Sequence, residues 1–308
     1  MSGVETRNIV LTVVVLAAAA CLPWLGGSYA LTIGVVIAMY TVLATSWALF
    51  SGPTHYISLA TAAFYGVGAY TVGLGLDHLP YWVLLPIAGV LGGGMAALVG
   101  LATLRLSGVY FVIFTLGLAE LVRQIITWGQ NWTGSKGIYV LTSLTERDIY
   151  WQLLALAALV YLAGWLIGRS RLGFALRIIG DDETVARHSG INTARAKVGL
   201  FVVPGAVAAI TGAILAPRYV YIEPALAFTP MLSFQVVIMA LLGGTGRLWG
   251  PVVGVIPFTF LWEAISASFP NQTTLLLGLS FLVIVYLLPK GFVGLVLAIR
   301  ARSAKVFG

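Results

Sequence analysis

Charge is what this chain has least of. Only 9% of its 308 residues are Asp, Glu, Lys or Arg, against 60% hydrophobic residues, and the mean hydropathy is +1.00. A soluble domain of this length cannot hide so much apolar surface, so most of it must face lipid. Cysteine is nearly absent: Cys21 stands alone, which excludes an internal disulfide. Histidine is scarce too. His55, His78 and His188 fall in three separate connections, so neither a metal site nor a nucleophile–base pair emerges, and a membrane-embedded enzyme has no chemistry to work with. The phosphate-loop pattern Gly-x-x-x-x-Gly-Lys-[Ser/Thr] occurs nowhere, so any ATP hydrolysis must come from a separate subunit. No polar linker or low-complexity tract divides the chain, and residues 1–308 read as one transmembrane domain with no cofactor implied.

What the chain does have is apolar runs of membrane-spanning length, about 20 residues each. They predict an all-α polytopic transmembrane helical bundle of about ten spans, at 8–27, 30–50, 57–76, 81–103, 109–128, 149–168, 198–217, 231–244, 251–268 and 274–289. The eighth is too short to cross unaided and suits a half-helix or re-entrant segment buried in protein. Ala18-Ala19-Ala20-Cys21 has the outline of a lipoprotein cleavage site. It lacks the leucine expected three residues before the cysteine, and a second apolar run begins at Ala30, so the first run reads as a span. Asn131-Trp132-Thr133 and Asn271-Gln272-Thr273 match the glycosylation tripeptide, a pattern common by chance.

The formal net charge of +7 does not point to nucleic acid, because the basic residues sit at the ends of apolar runs. That placement suits topology and contact with anionic lipid headgroups. With the N-terminus inside, the inner ends receive Arg7, Arg105, the basic loop 169–197, Arg247, Lys290, Arg300, Arg302 and Lys305. The outer loops receive Asp77, His78, Lys136, Glu146, Arg147, Asp148, Arg218 and Glu223. Lys and Arg resist translocation, so this asymmetry places both termini in the cytoplasm.

The loop 169–197 is the longest polar stretch, and an acidic cluster sits inside it. Asp181 can cap a helix Asp182–Ser189, Asp182 and Glu183 favour the positive end of its dipole, and Gly190 can end it in a left-handed cap. A rigid short helix of this kind suits a cytoplasmic partner that grips it; alone, it would equally serve as an amphipathic connector. In the fifth span Glu120 and Arg123 stand three apart on one face and can pair. A charge near the bilayer centre costs on the order of 2.5–3.5 kcal/mol, so neither should face lipid. An ion pair inside the bundle and a contact with substrate along the pathway both satisfy that condition.

The run from Leu241 to Gly254, Leu-Leu-Gly-Gly-Thr-Gly-Arg-Leu-Trp-Gly-Pro-Val-Val-Gly, spaces Gly246, Gly250 and Gly254 four apart, which permits close helix packing. Pro251 suits the first turn of a new helix. The string closely resembles a signature of branched-chain amino acid ABC importer permeases of the LivM type. Three further stretches are similar to that family's motifs and follow in its order. They are Ser58 to Thr71; Ser107 to Arg123 continuing into Gly137-Ile138; and Asp181 to Asn192, which resembles the family's cytoplasmic coupling loop. The resemblance spans about 40–300. One departure stands out: the family often has Gly-His after the Ser-Leu of its early motif, where this chain has Ala60 and Thr61.

The resemblance implies a permease subunit of an ATP-driven importer in the bacterial inner membrane, not itself an enzyme. It implies a second homologous permease, two cytoplasmic ATPase subunits and an extracytoplasmic substrate-binding protein as partners. Asp181, Asp182, Glu183 and Gly190 would couple to the ATPase, and Thr61, Tyr65, Glu120 and Arg123 would line the substrate pathway. Branched-chain amino acids are the default solute, with urea or short amides the alternative. A stand-alone secondary transporter would want ion-coordinating groups in broken helices at mid-membrane and no partner-gripping loop.

Overall fold

The computed structural model describes residues 19–25, 27–103, 108–287, 291, 292 and 294. Most of the expected first span, together with Arg105, Ser107, Lys290, Arg300, Arg302 and Lys305, lies outside the described residues. The architecture is helical. The main elements are α1 (Ser28–Thr54), α2 (Thr61–Gly75), α3 (Tyr81–Thr103), α4 (Val109–Thr133), α5 (Glu146–Arg169), α6 (Arg171–Asp181), α7 (Glu183–His188), α8 (Thr193–Leu215), α9 (Pro230–Gly243), α10 (Gly250–Ser268) and α11 (Thr273–Leu287). Helices dominate because hydrocarbon offers backbone N–H and C=O groups no partners, and a helix pairs them within itself.

Among the described residues, seven helices are long and apolar enough to cross a membrane, rather than about ten. The difference has physical causes. The run expected at 57–76 yields only the 15-residue α2, about 22 Å long against a hydrocarbon core of about 30 Å. The run expected at 274–289 gives the 15-residue α11 and then passes beyond the described residues. The short eighth run instead gains length: a one-turn helix, Pro224–Ala227, precedes α9, and Pro224–Gly243 together reach spanning length. Irregular, buried backbone sits before α2. Ser58, Leu59 and Ala60 are buried and not helical. Their polar groups are met by side chains and neighbours: Trp47 Nε1 donates to the Ser58 carbonyl (2.8 Å), Leu59 N–H to Thr115 Oγ1 (3.0 Å), and Ala60 N–H to Ser58 Oγ (3.3 Å).

The core forms where α8 packs on α2 and α3, and α1 on α5 and α8. Small residues set the α2–α8 approach. A Cβ on Gly68 would stand 1.7 Å from the Ala209 carbonyl oxygen, and one on Gly212 would stand 2.0 Å from that of Tyr65. Aromatics fill the centre, with Phe201 ringed by Phe50, Phe64 and Phe111 at centroid distances of 4.9, 5.7 and 6.0 Å.

Contacts sort the connections into two ends. At one, Gly52 faces Thr245, His55 Nδ1 lies 3.0 Å from the Gly180 carbonyl oxygen, and Gly164 lies beside Leu248. At the other, Glu146 accepts from Thr32 Oγ1 (3.0 Å) and pairs with Arg218 (3.4 Å). There Tyr81 donates to Gln152 Oε1 (2.6 Å), and Tyr29 donates to Glu263. A two-stranded antiparallel ladder of β1 (Ile138–Tyr139) and β2 (Tyr221–Ile222) closes this second end, in the register Ile138↔Ile222 and Tyr139↔Tyr221. The first end carries Arg169, Arg171, Arg177, Arg187, Arg195, Lys197 and Arg247; the second carries Asp77, Glu146, Asp148 and Glu223 with Lys136, Arg147 and Arg218.

Candidate coupling element and polar helix face

The polar loop resolves into helices, each opened by a capping side chain. Ser170 Oγ accepts from Gly173 N–H (3.2 Å) to open α6, Asp182 Oδ1 accepts from Thr184 and Val185 N–H (2.7 and 3.2 Å) to open α7, and Asn192 Oδ1 accepts from Arg195 N–H (3.0 Å) to open α8. The expected cap is thus displaced by one residue. Asp181 is the last residue of α6, and it is Asp182, in extended backbone, that can turn its carboxylate onto the next helix. Those two N–H bonds, from Val185 and Thr184, hold the Asp182 carboxyl below the ordinary aspartate range.

The end of α7 is a Schellman turn. Ile191 N–H donates to Ala186 C=O (3.1 Å) and Gly190 N–H to Arg187 C=O (3.0 Å), with Gly190 at φ 79°. That conformation is open to glycine at little cost and strains a β-branched residue. Between its caps α7 buries Ala186 and half-buries Glu183, while Thr184, Val185, Arg187 and His188 are exposed. Glu183 Oε1 accepts from Arg187 (2.9 Å) and Oε2 from Lys197 Nζ (2.6 Å). Burial pushes the Glu183 carboxyl up, but these two cations outweigh it and leave the group below the usual glutamate range.

The membrane-spanning residues divide. Thr61 and Tyr65 lie one turn apart on α2 and are both buried. Glu120 and Arg123 do pair, through Nε and Nη2 of the guanidinium, and Gln124 Nε2 donates to the same carboxylate (2.8 Å). The pair is not inside this chain's bundle, however. Its side chains are 47% and 31% exposed, on a helix that is itself mostly uncovered by the rest of the chain. α4 packs on α2 mainly through the opposite face, where Phe111, Thr115, Leu118 and Ala119 are buried.

The glycine string also divides. Cβ atoms on Gly250 and Gly254 would stand 1.9 Å from the Gly244 carbonyl oxygen and 2.1 Å from that of Met239, so α9 and α10 meet backbone to backbone. Gly246 has nothing within 4 Å. The four-residue spacing is not one helical stripe, because Gly246 sits in the turn before α10 and only the other two are helical. Gly243, whose own Cβ would meet the Gly250 carbonyl oxygen at 2.0 Å, takes its place in the packing.

A family model described as the permease component of the branched-chain amino acid transport system matches residues 29–288. The chain belongs to this permease family. It is 27% identical to the high-affinity branched-chain amino acid transport system permease protein LivM of Escherichia coli K12, over 94% of this chain and 76% of that protein. It is 28% identical to LivH, the corresponding permease protein of Salmonella typhimurium LT2, over 60% of this chain and 59% of LivH. The autoinducer 2 import system permease protein LsrC of Klebsiella pneumoniae is 28% identical over 67% of this chain and 62% of LsrC. No solved structure matches.

Three residues of this permease carry more structure than their sequence context signals. Lys197 is 1% exposed although it opens as one of six basic residues in a polar loop. Tyr56, in the connection before α2, accepts from its ammonium at 2.9 Å. Gln124 completes the polar group on α4. A lone lysine at the start of the apolar run 198–217 was the available signal for the first; the other two had none beyond helical spacing.

Proposed function

We propose that this chain is the permease subunit of an ATP-driven importer of branched-chain amino acids. In this reading the whole chain is one permease domain of the inner membrane. It works with a second homologous permease, two cytoplasmic ATPase subunits and an extracytoplasmic binding protein. The observation that carries it is α7: a short helix capped at both ends, seated on the bundle by Glu183 and Ala186, with its remaining side chains open to a partner. Residues 169–197 serve as the coupling loop, with Asp182, Glu183 and Gly190 shaping the helix and Asp181 ending the one before it. The end bearing this loop is cytoplasmic, as its surplus of Arg and Lys favours.

The solute path runs along the exposed polar face of α4, between this chain and the second permease. A membrane helix that presents Glu120, Arg123 and Gln124 outward needs water or protein against that face, since lipid would oppose it by about 2.5–3.5 kcal/mol per charge. Thr61 and Tyr65 stand behind this face, on buried α2, and shape it from inside. A second reading, import of a non-amino-acid solute, draws on the likeness to LsrC and on Ala60 and Thr61 where the family often has Gly-His.

Two measurements test the proposal. In a Cys21→Ser background, Asp182→Cys should resist an impermeant thiol reagent in sealed cells while Asp77→Cys labels; labelling at 182 from outside overturns the orientation. In nanodiscs holding both permeases and the ATPases, Val185→Asp and Gly190→Val should each lower ATPase retention by roughly tenfold, the scale of one lost anchoring contact. Unchanged retention removes α7 from the coupling role.

A further inference from the structure

Lys197 is among the most completely buried large side chains of the chain, and it is charged. A buried ammonium is held only by partners, and its two partners come from two elements other than its own helix. Glu183, the first residue of α7, accepts at 2.6 Å. Tyr56, in the non-helical connection between α1 and α2, accepts through its hydroxyl at 2.9 Å, and the ammonium also lies 4.3 Å from the centre of its ring. Lys197 itself belongs to the second turn of α8. The Tyr56 ring in turn meets Phe111, edge to face at 5.3 Å, and Phe111 is fully buried in the first turn of α4. The chain of contact therefore runs from α7 through one ammonium to the connection ahead of Thr61 and to the base of the helix that bears Glu120 and Arg123.

We infer that Lys197 is the positioning residue that transmits displacement of α7 to the Tyr56 connection and to α4. The inference rests on the proposed coupling role of α7 and names the link that role requires. Arg187 cannot substitute for it: its side chain is 67% exposed and holds only the outer oxygen of Glu183. The adjacent contact between His55 and Gly180 joins the same connection to α6, so it can carry only what α6 passes on and leaves Lys197 as the direct tie between α7 and Tyr56. An ammonium gripped by both Glu183 and Tyr56 passes on movement in either direction, whereas an apolar side chain of similar length fills the space without tying α7 to Tyr56. Transmission needs two states that the ATPase binds differently, and a fixed link lets the membrane helices share that difference.

The test uses the two permeases, the ATPases and the binding protein in nanodiscs, with Lys197→Met and Tyr56→Phe. Methionine keeps the volume, and Glu183 keeps Arg187 and partial access to water. Phenylalanine removes one oxygen and leaves the contact with Phe111. Both variants are expected to retain bound ATPase and basal hydrolysis. Hydrolysis stimulated by the loaded binding protein, and solute uptake per ATP, should fall at least about fivefold for Lys197→Met and less for Tyr56→Phe, the range of a typical coupling between sites. Wild-type stimulation and uptake in both variants overturns the inference while the proposed function stands. Failure of the wild-type chain to retain any ATPase overturns the underlying reading instead. If Lys197→Met does not accumulate, Tyr56→Phe alone decides, and full stimulation in it counts against the link.

Discussion

α2 and α4 are neighbours, both apolar, and both carry residues expected along a substrate path, yet they live in opposite surroundings. α2 buries Thr61 through Gly66 without a break and is built of Ala, Gly and Thr between its aromatics. α4 is built of bulky residues, with Ile113, Leu121, Ile125 and Trp128 exposed, and holds its charges outward. Small residues let backbones close on one another, which is how membrane helices gain contact when lipid is as apolar as they are. Bulky residues with a central polar group instead prepare a face for something beyond the chain. Mean hydropathy hides this distinction; side-chain size and the position of the charges reveal it.

The comparison breaks most visibly at two glycines. Gly68→Val on α2 drives a side chain into the Ala209 backbone and should cost on the order of 3 kcal/mol or more, since backbone cannot step aside like a flexible side chain. Gly117→Val on α4 meets nothing within 4 Å and should stay within about 0.5 kcal/mol. Fluorescence-detected gel filtration of solubilised protein, with a thermal ramp, reads both. Equal loss in the two variants would mean that α4 is as enclosed as α2.

Next in size is the polar group on α4. A pair inside the bundle would cost about 3–5 kcal/mol when broken, and the complex would vanish. Because Glu120 and Arg123 face outward, Glu120→Gln and Arg123→Gln should leave the amount of assembled complex within about twofold and lower uptake about tenfold, or about 1.4 kcal/mol. Normal assembly with normal uptake in both variants would take this face out of the solute path.

The smallest expected effect lies outside the membrane, at Asp182. Its carboxyl is lowered in the folded chain, so its contribution is complete above the ordinary aspartate value and is lost as pH falls through the lowered one. α7 should keep its cap at neutral and mildly acidic pH and fray only below about pH 3.9. Amide exchange at Thr184 and Val185 should speed several-fold in Asp182→Ala, with the core of α1 and α8 unchanged. Slow exchange in that variant would show that packing, and not the cap, orders the turn.

Much of this was legible in the sequence. Long apolar runs placed α1, α3, α5, α8 and α10, because every backbone polar group in hydrocarbon needs a helix. The left-handed turn at Gly190 and the pairing of Glu120 with Arg123 followed from local spacing. What escaped was tertiary. The mainly apolar stretch 57–60 looks like helix until Thr115, Trp47 and the Ser58 hydroxyl offer its backbone other partners. Lys197 counted as one more loop charge because its partners stand 14 and 141 residues away. The cap moved from Asp181 to Asp182 because two adjacent acids differ only in backbone angle, and α6, helical up to Asp181, settled which one was free to turn.

The short ladder of β1 and β2 has a mechanical meaning for α4. β1 follows α4 and β2 follows α8, and backbone hydrogen bonds extend the pairing to Val140 N–H and the Val220 carbonyl (3.0 Å). At its other terminus α4 is pinned by Phe111 against Phe201 of α8. The helix is thus a beam fastened to the same neighbour at both supports and unsupported along its outer span. Such a beam resists being drawn away from α8 at either end, so a load on it is shared with α8 through both fastenings.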